Sequence, residues 1–369
     1  MNIAFFIDKS QTVQSILGLI REAKKREYIC SVYSTCSTKS LSNIPEADIN
    51  LNNILWYPMS NRHEIKDLVL KNINDHDALV GINLFNNIWQ DIYESDMSRK
   101  IHSVEYCWNE IYNGRKDYTG SSTLFANSEW SKKTIETITE YDNIKFLGSQ
   151  CFEIISEFKR DPELKSRIIT FMAPHNSFIN NYDGFLNRVK IFLVKLREFC
   201  NKNSYKLILK TREKYSKTYH DIVSFDGVVT DSNIVSHLML YAESRCVFNF
   251  SSSAINELAF LETPYVCLFS DYHANLHKNR EDLFRSMSFI NNQYYSGKIF
   301  DGIHCDMIPA NDLLDNDRFL RDIDCNFEKV QSLICSKERN WGKFQKAYFP
   351  GDHKGASQRI LNFIDSNAK

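Results

Sequence analysis

The chain has no Cys-x-x-Cys pair, almost no net charge, no apolar run of membrane-spanning length and no internal repeat. Each absence removes a class of protein. Ten cysteines are present, at 30, 36, 107, 151, 200, 246, 267, 305, 325 and 335. They lack paired spacing, and several sit inside apolar runs such as Tyr28–Tyr33 and Val266–Phe269. They therefore read as free thiols packed as small hydrophobes in a reducing compartment, which excludes a disulfide framework or a zinc ribbon. A formal charge of −1 supplies no global field to gather nucleic acid or an anionic membrane. Basic clusters at Lys24–Arg26 and Lys206–Lys214 lie beside ordinary helix and strand patterns, so no nucleic-acid partner is expected. The opening MNIAFFIDKS lacks the basic start and apolar core of a secretory signal. With no spanning run elsewhere, the expectation is a cytoplasmic protein.

What is present is alternation. Short apolar runs rich in β-branched and aromatic residues are separated by longer amphipathic stretches, the pattern of βαβ units and parallel sheets. In the first half, strands are expected at Ile3–Ile7, Ile29–Tyr33, Ile54–Tyr57, Ala78–Ile82, Ile101–Tyr106, Leu124–Ala126 and Ile144–Phe146. A helix over Thr12–Lys25 follows from apolar residues at 13, 16, 17, 19 and 20. The segment Ser128–Thr137 is expected to be helical, with Asn127 or Ser128 as N-cap and Glu129 near the positive end of its dipole.

A polar stretch, FKRDPELKSR at 158–167, carries six charges in ten residues and a proline, and reads as a linker. A second series then starts. Strands are expected at Ile168–Met172, Lys206–Leu209, Ile222–Val228, Cys246–Phe250 and Tyr265–Phe269. Helices are expected at Phe185–Phe199, Val235–Glu243, Ala254–Leu261 and, near the end, Ala356–Ile364. Since 369 residues exceed the usual size of one core, the reading is an α/β chain of two Rossmann-like parallel-sheet domains facing a central cleft. Residues 1–157 form an acceptor domain, 158–167 the linker, 168–345 a nucleotide-donor domain, and 346–369 a segment whose helix crosses back to the first domain.

The most informative segment is CVFNFSSSAINELAFLETPYVCLFS, residues 246–270. An apolar strand ends, Ser251, Ser252 and Ser253 follow, a helix starts at once, and a second strand is entered through Pro264. The first backbone N–H groups of a helix lack internal partners. With serine hydroxyls and the positive dipole end they hold a phosphate. One serine would suffice for a cap; three in succession point to a phosphate site. Glu257, one turn beyond Ser253, is placed to accept hydrogen bonds from a ribose hydroxyl pair.

This strand, serine turn, glutamate-bearing helix and proline resemble the donor half of the GT-B glycosyltransferase superfamily. By pattern the chain is most similar to capsule and teichoic-acid transferases of the CDP-glycerol glycerophosphotransferase type and, more distantly, to UDP-GlcNAc 2-epimerases. TLFANSEWSKKTI at 123–135, FLGSQ at 146–150 and FPGDHKGASQRI at 349–360 resemble, in order, segments of those proteins at the end of the first domain, before the linker and at the crossing back. The resemblance implies a glycosyltransferase that moves a sugar or polyol phosphate from a UDP-, CDP- or CMP-linked donor to a glycan or glycolipid acceptor. A lipid-linked acceptor would bring peripheral membrane contact. Alternatives are a nucleotide-sugar 2-epimerase or hydrolase, and a catalytically silent binding protein of the same fold.

Against that resemblance, Ser251, Ser252, Ser253 and Glu257 are expected to bind the nucleotide and its phosphates. Lys210 and Arg212 stand where many relatives have Lys-x-His-Pro, here Lys-Thr-Arg-Glu, and would neutralise donor phosphates. His175 ends the first strand of the second half and is a candidate proton carrier or phosphate partner. Glu105 and Glu110, in IHSVEYCWNE at 101–110, are candidates for the base that deprotonates the acceptor. Glu105 matches a catalytic carboxylate of the epimerases, but the further acids an epimerase needs have no counterpart. Asp301, His304 and Asp306 read as a polar turn. No Asp-x-Asp lies between hydrophobic strands, so no metal or other cofactor is expected and the helix dipole and basic side chains carry the leaving phosphate.

Overall fold

The computed structural model describes residues 1–7, 13–34, 54–58, 71, 73–82, 100–105, 122–138, 143–158, 166–173, 185–211, 218–230, 234–249, 254–269, 305–309, 331, 335 and 351–368. The chain divides into two compact units. Unit one is Met1–Glu157 with Ser232–Ile234 and Lys346–Lys369, and unit two is Phe158–Asp231 with Val235–Gln345.

Unit one is built on a seven-stranded sheet in the order β3-β2-β1-β4-β5-β6-β7. Its strands are β1 (Asn2–Ile7), β2 (Ile29–Ser34), β3 (Ile54–Pro58), β4 (Ala78–Ile82), β5 (Ile101–Val104), β6 (Thr123–Phe125) and β7 (Ile144–Lys145). All the pairings are parallel. Ile3 through Ile7 are buried without alternation, as a central strand covered on both faces requires. Helix α1 (Val13–Lys25) lays Ile16, Leu17, Leu19, Ile20 and Ala23 into the core, the three-to-four spacing of one helical face. Helices α2 (Glu129–Ile138) and α3 (Gln150–Ile155) follow β6 and β7.

Unit two repeats the plan. Its six-stranded parallel sheet runs β10-β9-β8-β11-β12-β13, with β8 (Ile168–Met172), β9 (Lys206–Lys210), β10 (Gly227–Val229), β11 (Ser244–Asn249), β12 (Tyr265–Phe269) and β13 (Cys305–Pro309). Helices α4 (Phe185–Lys202), α5 (Ile234–Glu243) and α6 (Ala254–Phe260) connect them. Val189, Phe192, Leu193 and Leu196 of α4 pack on Ile169, Phe171, Leu207, Leu209 and Phe248. Both sheets therefore place their first and fourth strands side by side, the doubly wound Rossmann order.

The last helix of the chain, α7 (Ala356–Asn367), belongs to unit one. Gly18 of α1 lets it approach closely, because a Cβ there would stand 2.6 Å from Ser357 Oγ. The Glu153 carboxylate of α3 accepts from the backbone N–H of Gly355 at 2.9 Å and of Ser357 at 3.0 Å. It thus satisfies N-terminal donors that α7 leaves open. Tyr28 and Arg26 both donate to Asp365.

Two sequence expectations need correction. Ile222–Val228 is not one strand; only Gly227–Val229 pairs. Ile222 and Val223 donate back to the Tyr219 carbonyl in a turn. Asp306, read with Asp301 and His304 as part of a polar turn, lies in β13, which pairs with β12. Burial pushes the Cys30 thiol up to about 11 and that of Cys200 up to about 12, so both stay protonated as core hydrophobes. No helix among the described residues is long and apolar enough to cross a membrane.

Candidate functional site

In an open parallel sheet, ligands sit beyond the carboxyl ends of the strands, where the order reverses. In unit two that point lies between β8 and β11, which pair Thr170 with Val247 and Phe171 with Phe248. Two of the residues singled out from the sequence lie on elements beside it. Lys210 ends β9, its carbonyl accepting from Ala173 N–H at 2.9 Å just past the end of β8. Glu257 lies in the first turn of α6, the helix that follows β11.

Both side chains are partly buried. Burial pushes the Glu257 carboxyl up to about 7, and the charge of Lys210 pulls it partly back. A carboxyl that titrates near neutrality, next to a cation and at the ligand-binding edge of a Rossmann sheet, is equipped to accept hydrogen bonds from sugar hydroxyls. Lys210 is equipped to meet an anion. Ser251, Ser252 and Ser253, between Asn249 and Ala254, lie outside the described residues, as do Arg212 and His175.

The carboxyl edge of unit one is arranged differently. Glu105 immediately follows β5 and is fully buried. Its carboxylate accepts from Asn127 N–H at 2.9 Å and from the Ser131 hydroxyl at 2.7 and 2.6 Å. Ser128 caps α2, its Oγ accepting from Ser131 N–H at 2.9 Å. The charge of Glu105 is thus set against the positive end of that helix. The network continues: Asn127 Nδ2 donates to the Glu105 carbonyl, Ser149 Oγ donates to Asn127 Oδ1 at 2.9 Å, and Ser149 N–H donates to His353 Nδ1 at 3.1 Å. Glu105 therefore ties β5, α2, the turn before α3 and the C-terminal segment together. The sequence named Glu105 for its place at a strand end but held no sign of the partners that enclose it. Glu110, its companion candidate, lies outside the described residues.

His102, three residues earlier in β5, is 3% exposed. Burial pushes its ring down to about 4, so it is neutral at ordinary pH, with Nδ1 3.2 Å from Ser122 Oγ. Asp301 and His304 lie outside the described residues; the backbone of Asp306 is in β13. Among the described residues no three His, Cys, Asp or Glu side chains converge as a metal site would need.

Two units of this strand order, with a final helix returned to the first, define a class of architecture, and solved structures of that class resemble the chain along its whole length. UDP-GlcNAc 2-epimerase from Methanocaldococcus jannaschii aligns with a TM-score of 0.61 at 12% identity, over 99% of this chain and all of that one. The Neisseria meningitidis UDP-GlcNAc 2-epimerase bound to UDP-GlcNAc gives 0.60 at 10% identity, over 99% and 100%. A variant of the wall teichoic acid polymerase TagF gives 0.60 at 12% identity, over 100% and 89%. No family model matches the sequence, and no curated protein matches it either. The chain has the GT-B fold.

Proposed function

We propose that the protein is a glycosyltransferase that moves a sugar or a polyol phosphate from a nucleotide-activated donor to a glycan or glycolipid acceptor, in the cytoplasm and without a metal. The observation that carries this reading is the Lys210–Glu257 pair at the switch point of unit two. Glu257 receives the ribose hydroxyls. Lys210, Arg212 and the serines 251–253 hold the phosphates and take up the charge that develops on the leaving group. An inverting transfer asks one further group to remove a proton from the acceptor hydroxyl, and we assign that part to Glu110 or His175. Glu105, enclosed by Ser131 and Asn127, positions the strand that leads to Glu110.

Similar structures in complex with UDP-GlcNAc, or with UDP-GlcNAc and UDP, support a nucleotide-sugar donor. A second reading, a nucleotide-sugar 2-epimerase or hydrolase, draws on the placement of Glu105 at the end of β5.

The test is a thermal-shift panel of UMP, UDP, CMP, CDP and GDP. A ligand at about 100 times its dissociation constant adds roughly 2.7 kcal/mol to stability. The expected result is a shift with one base family, abolished in the double variant Ser252→Ala, Ser253→Ala. Silence across the panel sinks the proposal. Chromatography of UDP- and CDP-sugars incubated without acceptor then separates the readings: an epimer or free sugar favours the second, unchanged donor the first.

A further inference from the structure

Buried polar atoms in folded proteins almost always have partners, and one that lacks them calls for an explanation. Three described side-chain atoms of unit two are buried and unpaired: Thr211 Oγ1, the Tyr219 hydroxyl and Arg245 Nε. Arg245 is near the amino end of β11, and the Tyr219 ring packs on Phe171 within the apolar cluster. Thr211 alone follows directly on the carboxyl end of a strand. It is 6% exposed. Its backbone is fixed, because Thr211 N–H donates to the Val229 carbonyl at 3.1 Å and extends the β9–β10 ladder by one step.

Period-two alternation places Thr211 on the face of Leu207 and Leu209, the face covered by α4. Lys210 takes the other face. The strand end thus offers a cation on one side and an unsatisfied hydroxyl on the other, flanked in sequence by Lys210 and Arg212. A threonine hydroxyl donates well to an anionic oxygen, and such a bond is stronger than a neutral one.

Building on the donor site proposed above, we propose that the Thr211 hydroxyl donates to a phosphate oxygen of the bound nucleotide.

The test is Thr211→Val, which swaps the hydroxyl for a methyl of nearly the same shape, alongside Thr211→Ser, which keeps the hydroxyl. Calorimetry would use whichever of UDP, CDP and GDP binds the parent protein, together with the corresponding nucleoside. Removing an unpaired buried hydroxyl should leave the free protein's melting temperature unchanged or higher. Diphosphate affinity should fall about tenfold, as expected for one hydrogen bond to a charged group, with nucleoside affinity unaltered and Thr211→Ser close to the parent. A lower melting temperature of the free Val variant overturns the assignment, since the hydroxyl then has a partner at rest. So does equal loss of nucleoside and diphosphate affinity, or no loss at all. If the parent binds no nucleotide of the panel, the donor-site reading falls and this contact with it; if the parent binds and the Val variant binds equally, only the contact falls.

Discussion

Removing the side chain of Glu105 would strand the Asn127 N–H and the Ser131 hydroxyl in a region closed to water. Each buried donor left without an acceptor costs about 1–3 kcal/mol. Glu105→Ala should therefore lower unfolding free energy by roughly 2–4 kcal/mol in urea titrations, with the denaturant slope unchanged. Glu105→Gln, which keeps one acceptor, should lose less. If the Ala variant is as stable as the parent but turns over no substrate, Glu105 belongs to the chemistry and not to the scaffold. At this scale the sequence shows which residues are chemically capable and not which are already occupied. Asn127 and Ser128 read equally well as caps of α2. In the fold Ser128 takes the cap, while Asn127 joins the Glu105 network. The choice depends on a strand 22 residues earlier in the chain, which no local pattern displays.

The elements were legible in proportion to how local their causes are. An uninterrupted apolar run, such as that of β1, is visible because a strand buried on both faces needs nothing else. Ile222–Val228 interrupts its apolar residues with Ser224, Asp226 and Gly227, and Ile222, Val223 and Phe225 pack against the core of unit two from a turn before β10. The Asp226 carboxylate there accepts from Leu207 N–H at 2.7 Å and pairs with Arg197, whose hydrogen bond holds it below the usual carboxylate range. β13 escaped notice because its strand character comes from pairing with β12, and Asp306 breaks its apolar run.

The docking of α7 is likewise non-local, and it makes a prediction of its own. Glu153 is an acceptor for Gly355 N–H, Ser357 N–H and the Ser357 hydroxyl at the start of that helix. Glu153→Ala should cost about 1–2 kcal/mol, the loss of a helix N-cap. It should also speed amide exchange in residues 356–361 before it affects β1. Uniform exchange through unit one would mean that α7 is held by its apolar face alone, through Ile360, Leu361 and Ile364.

At the scale of the molecule, one strand order occurs twice, and its carboxyl edges have separate fates. In unit one, four polar residues described at that edge, Glu105, Asn127, Ser149 and His353, are linked to one another. In unit two the described residues beside the edge include Lys210, the Glu257 carboxyl that titrates near 7 under its influence, and the Thr211 hydroxyl. The proposed donor site draws on that contrast, and the proposal carries a pH dependence. Ribose hydroxyls donate to the ionised carboxylate, so a protonated Glu257 must release its proton before it can accept them. With the free carboxyl at about 7, affinity should be level above pH 8 and fall as pH drops, by up to about tenfold per unit well below 7. The probe should be an intact UDP- or CDP-sugar, chosen from the nucleotide panel, because its phosphates are singly ionised and do not titrate in this range as a terminal phosphate does. Glu257→Gln should bind more weakly at pH 8 and show a flat profile from pH 5.5 to 8.5 by calorimetry. An identical slope in the Gln variant would move the titrating group elsewhere and remove Glu257 from the ribose.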